Sequence, residues 1–313
     1  MTALPRRLLA ALLVLLVPVV LAACGDDSEG GGGDATGGDD TRVVSTDQGD
    51  VTVPADPQRV VAADFYAAFT LVDLGVVPVG VVGDGYDDQP ERYSEPLAGA
   101  ESIGTFEELD YEAVLALEPD VIVRSIDTEA DVYERLSDIA PTVVVSFQQR
   151  SLEEVTAELG AALNRDDEAT DLLAEYEERT GQIAEEYADV LAATTFALVS
   201  PTGDGSWWLY GRSWTDLTVL TDAGAVLAPP ADQQTEQTTT RPLEDIPVLD
   251  QAGVLLLDAL WDNAELTGSR LWAGLPAVQA GHVYTITTGT SSIGNGLEVL
   301  DEFEVILDQL RAA

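Results

Sequence analysis

The chain carries 14 cationic side chains against 57 carboxylates, and all 14 are arginine. A guanidinium offers forked donors that stay charged, so an arginine placed where a strand ends is a candidate for gripping a negatively charged ligand. Arg124 closes the apolar run VIV, and Arg212 follows the run that ends at Tyr210. Arg150, Arg241 and Arg270 fall in segments between apolar runs and form a second tier. In so acidic a chain each has an alternative reading as a salt bridge to a nearby Asp or Glu. The second chemical resource is flat rings on which a ligand can stack. Trp207, Trp208 and Tyr210 stand together, and strand alternation sends neighbours to opposite faces, so core packing accounts for one tryptophan and leaves the other for a cleft. Tyr66, Tyr86 and Trp261 complete the ring candidates, whereas Trp214 and Trp272 read as core.

Catalytic chemistry finds little support. His282 is the only histidine and Cys24 the only cysteine, so Cys/His and Ser/His/Asp arrangements would hang on one imidazole. His282 itself reads as structural, at the start of a strand. Paired carboxylates are abundant by composition alone and decide nothing. The expectation is a binding protein, not an enzyme. Zinc usually takes several histidines, although a carboxylate site for a harder ion stays open. The glycines of GVVGDG (80–85) and TGDG (202–205) match neither a dinucleotide fingerprint nor a Walker loop, and are read as loop glycines.

The elements that must position these residues are organised around residues 151–193. Ser151 and Glu154 have capping-box spacing, so a helix begins there. A second should start near Asp166 or Asp167 and carry Leu172, Leu173, Tyr176, Ile183, Tyr187, Val190 and Leu191 on one face. From Asp167 to Leu191 this gives a rod of roughly 35 Å, expected to be the longest unbroken helix of the chain. Residues 41–53 read as a β-hairpin. Before the rod, strands are predicted at 59–63, 77–82, 102–103, 121–124 and 142–145, with helices at 65–74, 111–117 and 130–139. After it come strands at 196–199, 207–210, 254–257 and 282–286 and helices at 214–222, 243–250 and 297–310. Strands alternating with helices imply parallel sheets covered on both faces. The fold class is therefore α/β: two Rossmann-like lobes with parallel-sheet cores, at 41–150 and 194–313, joined by helices at 151–193. Ligands of such sheets bind off the carboxyl ends of the strands, so two facing lobes create a cleft there.

Residues 1–23 have a basic start (Arg6, Arg7) and an apolar run ending in small residues, the pattern of a secretory signal. The sequence LAAC ending at Cys24 resembles the lipobox of bacterial lipoproteins, which implies an acylated Cys24 holding the chain on the outer face of the cell membrane. Residues 24–40 are Gly-rich and acidic and read as a flexible tether. A net charge of −43 with no clustered cations argues against nucleic acid as a partner. It reads as a solvated acidic surface.

Longer segments carry a family likeness. RVVAADFYAAFTLVDLGVVPVGVVG (59–83), GTFEELDYEAVLALEPDVIV (104–123), LEDIPVLDQAGVLLLD (243–258) and LWAGLPAVQAGHVYTI (271–286) resemble, in order and spacing, the substrate-binding proteins of ABC importers for iron siderophores and cobalamin. The resemblance implies the class III binding-protein fold, with little hinge closure, a ferric siderophore as ligand, no cofactor, and a monomer that docks on a membrane permease with its ATPase. It implies that Arg124 and Arg212 contact ligand. It also implies that Glu112 and Glu244, one per lobe near helix starts, dock on permease arginines. The tail SSIGNGLEVLDEFEVIL (291–307) is similar to catecholate-type members. Those members carry a further arginine where this chain has Ala259, Leu260 and Trp261, which counts against a strictly catecholate ligand. Within the same family cobalamin or haem is the alternative ligand, and a divalent-metal binding protein of similar plan is the alternative outside it.

Overall fold

The computed structural model describes residues 41–313 apart from Asp84, Gly85, Asp87 and Asp88. The secretory signal, Cys24 and the tether lie outside the described residues. Strands β1 (Thr41–Thr46) and β2 (Gly49–Pro54) form the expected hairpin. Its tip is pinned to lobe one: Ser146 donates its amide to Asp47 at 2.8 Å and Arg150 bridges Asp47 at 2.6 Å.

Lobe one is a five-stranded sheet in the order β5-β4-β3-β6-β7, formed by Val60–Ala62 (β3), Gly80–Val81 (β4), Glu101–Ser102 (β5), Val121–Arg124 (β6) and Thr142–Val144 (β7). Every pairing is parallel. The helices are α1 (Phe65–Asp73), α2 (Glu91–Leu97), α3 (Tyr111–Ala116) and α4 (Ala130–Ser137). The central strands are buried on both faces, and the period of two sorts their side chains. Val60, Ala62, Val121 and Val123 pack on one side, with Val155 and Leu159 of the connecting segment. Val61 and Ile122 pack on the other, with Val114 and Leu136. That two-sided burial is what near-continuous Val/Ile runs encode.

The connecting segment is α5 (Leu152–Leu163), α6 (Asp166–Glu186) and α7 (Ala188–Ala193). Both halves of the capping box form: Ser151 Oγ accepts from the Glu154 amide at 3.2 Å, and Glu154 accepts from the Ser151 amide at 2.9 Å. Ala169, near the start of α6, packs in the lobe-one core, while Leu172, Tyr176, Ile183 and Tyr187 pack in the lobe-two core. One helix thus ties the two cores together. It is shorter than expected: α6 has 21 residues, about 30 Å, and stops where Tyr187 leaves helical geometry at φ −108, ψ 20. It is not alone in length either, since the closing helix α12 (Ile293–Ala312) has 20 residues.

Lobe two has the order β10-β9-β8-β11-β12, formed by Phe196–Pro201 (β8), Ser206–Tyr210 (β9), Thr238–Pro242 (β10), Val254–Asp258 (β11) and Val283–Ile286 (β12). Around it lie α8 (Thr215–Asp222), α9 (Pro229–Asp232), a 3₁₀ helix (Leu243–Gln251), α10 (Ala264–Thr267), α11 (Pro276–Ala280) and α12. Strands β8, β11 and β12 are parallel, but β9 runs antiparallel to both β8 and β10. Only residues 202–205 separate β8 from β9, and so short a link can make only a hairpin. Gly203 and Gly205 sit in that turn at φ +80 and +85, which is the conformational reason for the TGDG run.

Candidate functional site

Because all lobe-one strands point the same way, the loops after β3 to β7 gather on one edge of that sheet. The loops after β11 and β12 do the same in lobe two, and the two edges face each other across a groove. Its central cavity of about 610 Å³ is lined from lobe one by Phe65, Tyr66, Phe69, Tyr86, Gln89, Pro90 and Phe106, and from lobe two by Leu260, residues 287–289 and Ser291. One wall is aromatic and the other is hydroxyl and backbone. A second recess of about 470 Å³ shares Tyr66 and Phe106 and adds residues 126–129, Phe147 and Gln148. A smaller one, about 150 Å³, shares Phe69 and Gln89 and reaches Asn295, Glu298 and Glu302.

The rings brace one another. Tyr66 stacks on Phe147 with centroids 4.1 Å apart, Phe65 stacks on Phe106 at 6.1 Å, and Tyr86 lies 6.0 Å from Phe65 and 5.9 Å from Phe69. Tyr86 donates its hydroxyl to the Val82 carbonyl at 2.9 Å. Burial pushes the Tyr66 and Tyr86 phenols up, and the charge of Asp64 adds to the effect, so both stay protonated at physiological pH. Both line the cavity as neutral rings.

Behind the aromatic wall sits a buried ionic element. Asp64 caps α1 by accepting the Ala67 amide at 2.8 Å, and its other oxygen accepts the Ser125 amide at 2.8 Å. Burial pushes its carboxyl up against the opposing pull of these bonds and of Arg124. Arg124 is only 7% exposed; its Nε donates to Thr128 Oγ1 at 3.1 Å and its Nη1 to the Ala63 carbonyl at 3.3 Å. Burial pulls the guanidinium below the usual arginine value while Asp64 holds it up. Thr128 lines the second recess, so Arg124 stands one side chain behind the groove surface.

In lobe two, buried Asp216 shapes the hydroxyl wall. It accepts the amides of Gly289 at 3.1 Å and Thr290 at 3.0 Å and the Thr290 hydroxyl at 2.6 Å. Tyr210 shares a 2.8 Å hydrogen bond with Ser200 and donates to Asp258 at 3.3 Å.

The remaining sequence candidates divide. Trp261 stands at the groove rim, 40% exposed beside the lining residue Leu260, with Trp208 edge-on to it at 5.4 Å. Two candidates are corrected by burial, and two arginines lie outside the groove lining. Trp207 is fully buried in the lobe-two core, its Nε1 donating to the Pro242 carbonyl at 2.9 Å, so it presents no face to a ligand. Tyr210 is buried with its hydroxyl spent internally. Arg212 lines none of the groove recesses; it is exposed and pairs with Asp232. Arg241 faces a separate hollow beside Pro229 and Glu236, with Asp245 at 3.9 Å. Of the second tier, Arg150 bridges Asp47 and Glu158, and Arg270 is exposed outside the groove lining.

Glu112 is exposed in the first turn of α3, and Glu244 in the first turn of the 3₁₀ helix. Helix α3 follows β5. The 3₁₀ helix follows β10, which two successive antiparallel pairings make parallel to β8. Both carboxylates therefore start from the carboxyl edge of their sheet, the side on which the groove opens. Among the described residues no three His, Cys, Asp or Glu side chains are grouped to hold a metal ion.

Sequence reasoning missed Phe65, Phe69, Phe106 and Phe147 and the hydroxyl run at 287–292. The spacing of Phe65 and Phe69 on one helix face, and the run TTGTSS, were the available signals.

A family model for periplasmic binding proteins matches residues 60–289. The chain is 24% identical to the Fe(3+)-citrate-binding protein YfmC of Bacillus subtilis (strain 168), over 83% of this chain and 82% of that one. It is 28% identical to the iron(3+)-hydroxamate-binding protein FhuD of the same organism, over 79% of each. Among solved structures, the siderophore periplasmic binding protein from the fuscachelin gene cluster of Thermobifida fusca superposes with a TM-score of 0.70 at 29% identity, covering 82% of this chain and 98% of that one.

Proposed function

The chain belongs to the periplasmic binding protein family, and from that premise we propose that it captures a ferric siderophore outside the cytoplasm and delivers it to the permease of an ABC importer. The observation that carries this reading is the groove itself: a preformed cavity of about 610 Å³ at the carboxyl ends of two sheets, one wall of rings and one of hydroxyls. Its volume lies in the range of small-molecule sites. A chelate in which the siderophore supplies every iron ligand needs shape, stacking surface and hydrogen bonds from the protein, and no metal-binding side chains. The groove offers that combination, with neutral phenols at Tyr66 and Tyr86. The likeness to proteins that bind ferric citrate, ferric hydroxamate and siderophore supports the same ligand type.

In this reading Tyr66, Tyr86 and Trp261 contact the ligand, Arg124 backs the groove wall, Glu112 and Glu244 meet the permease, and acylated Cys24 holds a monomer to the membrane. Cobalamin or haem is the second ligand to test, because the same rings would receive a flat macrocycle. Titrating the purified chain with a ferric hydroxamate, ferric citrate, haem and cobalamin while following tryptophan emission tests the proposal. Saturable quenching by an iron chelate is expected; response to haem or cobalamin alone would overturn it.

A further inference from the structure

We infer that the groove selects its iron chelate by charge, accepting complexes that are neutral or cationic overall, the ferric hydroxamate class, and discriminating against polyanionic ones such as triscatecholates. The inference rests on the ferric-chelate reading above and narrows it.

Among the described residues, no Lys or Arg lines the central cavity or either adjoining recess. The charged groups that do line the recesses are carboxylates: Asp127 and Glu129 at one end, Glu298 and Glu302 at the other. Two further acidic residues, Asp64 and Asp216, are buried behind the walls and add no positive charge. The guanidiniums nearest this edge are already engaged: Arg124 is offset by Asp64 and spends two of its three nitrogens on Thr128 and the Ala63 carbonyl, Arg92 pairs with Asp73, and Arg241 faces a separate hollow.

A triscatecholate complex carries its excess charge on the face it would present to the protein. Moving that charge out of water without counter-charges is costly. A ferric hydroxamate differs in two ways. Three deprotonated hydroxamates balance the iron, and the outer surface is methylene and amide, which suits rings such as Tyr66 and Phe106 and the hydroxyls at 287–291. The field of a chain with net charge −43 adds to the preference, because it depletes anions from the groove mouth and enriches cations.

The test is isothermal titration calorimetry on the full chain in detergent with three probes: ferrioxamine B (cationic), ferrichrome (neutral) and ferric enterobactin (trianionic). Either hydroxamate should bind at least roughly tenfold more tightly than the trianion at low salt, and added salt should narrow the gap. Gln89 lines the cavity from an exposed position, so Gln89→Arg should raise the affinity for the trianion relative to that for ferrichrome by roughly fivefold, the worth of one unit-charge pair near contact in water. Trianion binding as tight as hydroxamate binding would overturn the charge selection while leaving the chelate reading intact. Absence of binding by all three would overturn both.

Discussion

Asp73, the last residue of α1 in lobe one, accepts the backbone amide of Gly294 in the first turn of the lobe-two helix α12 at 2.8 Å. Its other oxygen takes Arg92 at 2.8 Å and the Tyr93 hydroxyl at 3.0 Å, and that hydroxyl meets Ser292 of lobe two at 3.1 Å. A carboxylate from one lobe thus caps a helix of the other, and the glycine is what lets it approach. A Cβ at position 294 would collide with the Asp73 carboxylate and come within 2.5 Å of the Tyr93 hydroxyl and 2.6 Å of Arg92 Nε. Asp73→Ala removes a helix cap and a buried acceptor together, and should cost about 2–3 kcal/mol. Gly294→Ala should cost a similar amount by forcing the same contacts apart. Chemical denaturation of both variants and the double variant checks this: if the losses simply add, the two residues do not act through one contact.

Stability should rise as the pH falls from neutral. Asp64, Asp216, Asp222 and Glu298 have carboxyls pushed above their usual range, with burial the largest cause in each. A carboxyl with a raised folded value holds its proton in the folded chain while the unfolded chain stays ionised. Its contribution is therefore complete below the ordinary aspartate value of 3.8 and is lost as pH rises through the raised one. Asp127 and Asp204 are pulled down by hydrogen bonds from Gln149 and Thr202 and work in the opposite sense, but both sit at the surface, where water screens the effect. Relief of self-repulsion at a net charge of −43 acts in the same direction as the buried set. Thermal melts at constant ionic strength should give a Tm roughly 5 °C higher at pH about 5 than at pH about 8, and Glu298→Gln should flatten part of that slope. A Tm that falls on acidification contradicts the account.

What could be read from the chain in advance follows from how local each signal is. Strand β6 and the Ser151/Glu154 cap were legible to the residue, because two-sided burial and the capping box are written within four residues. Helix α2 was not, since Pro96 and its mixed composition hide a helix that packs through Tyr93 and Leu97. Strand β10 was passed over because a Thr-rich run reads equally as loop. The partners of the arginines were hidden for a different reason. Whether Arg212 meets a ligand or Asp232, 20 residues further on, is set by the path of the intervening chain, which local pattern does not carry. The rings of the groove come from segments that follow four different strands, so only the fold assembles them.

Tryptophan emission should report the ligand through lobe two in a position-dependent way. Trp261 is at the rim with Trp208 against it, whereas Trp207 is enclosed by the core. Trp261→Phe should remove a large share of chelate-induced quenching and leave the free energy of unfolding within about 0.5 kcal/mol of the parent. Trp261→Ala should weaken binding by about 1 kcal/mol through the lost ring contact. Quenching unchanged by either substitution would place the ligand away from this rim.

Glu112 and Glu244 make the sharpest separation between binding and delivery. Each is exposed, each lies in the first turn of a helix that leaves the carboxyl edge of its sheet, and they belong to different lobes. Reversing both charges, Glu112→Arg with Glu244→Arg, removes the local benefit of an anion at a helix start, which is worth about 0.3–1 kcal/mol per site. Folding should therefore survive. Neither residue lines the groove, so chelate affinity in calorimetry should match that of the parent. Uptake of iron-loaded chelate by cells carrying the double variant should nevertheless drop to the level of a strain lacking the protein, as the proposed seating of both lobes on cationic partners of the permease demands. A single reversal should retain partial uptake if each lobe contributes its own contact. Uptake that persists in the double variant removes these two carboxylates from the docking surface, and a loss of chelate affinity in the same variant would show that they serve the groove instead.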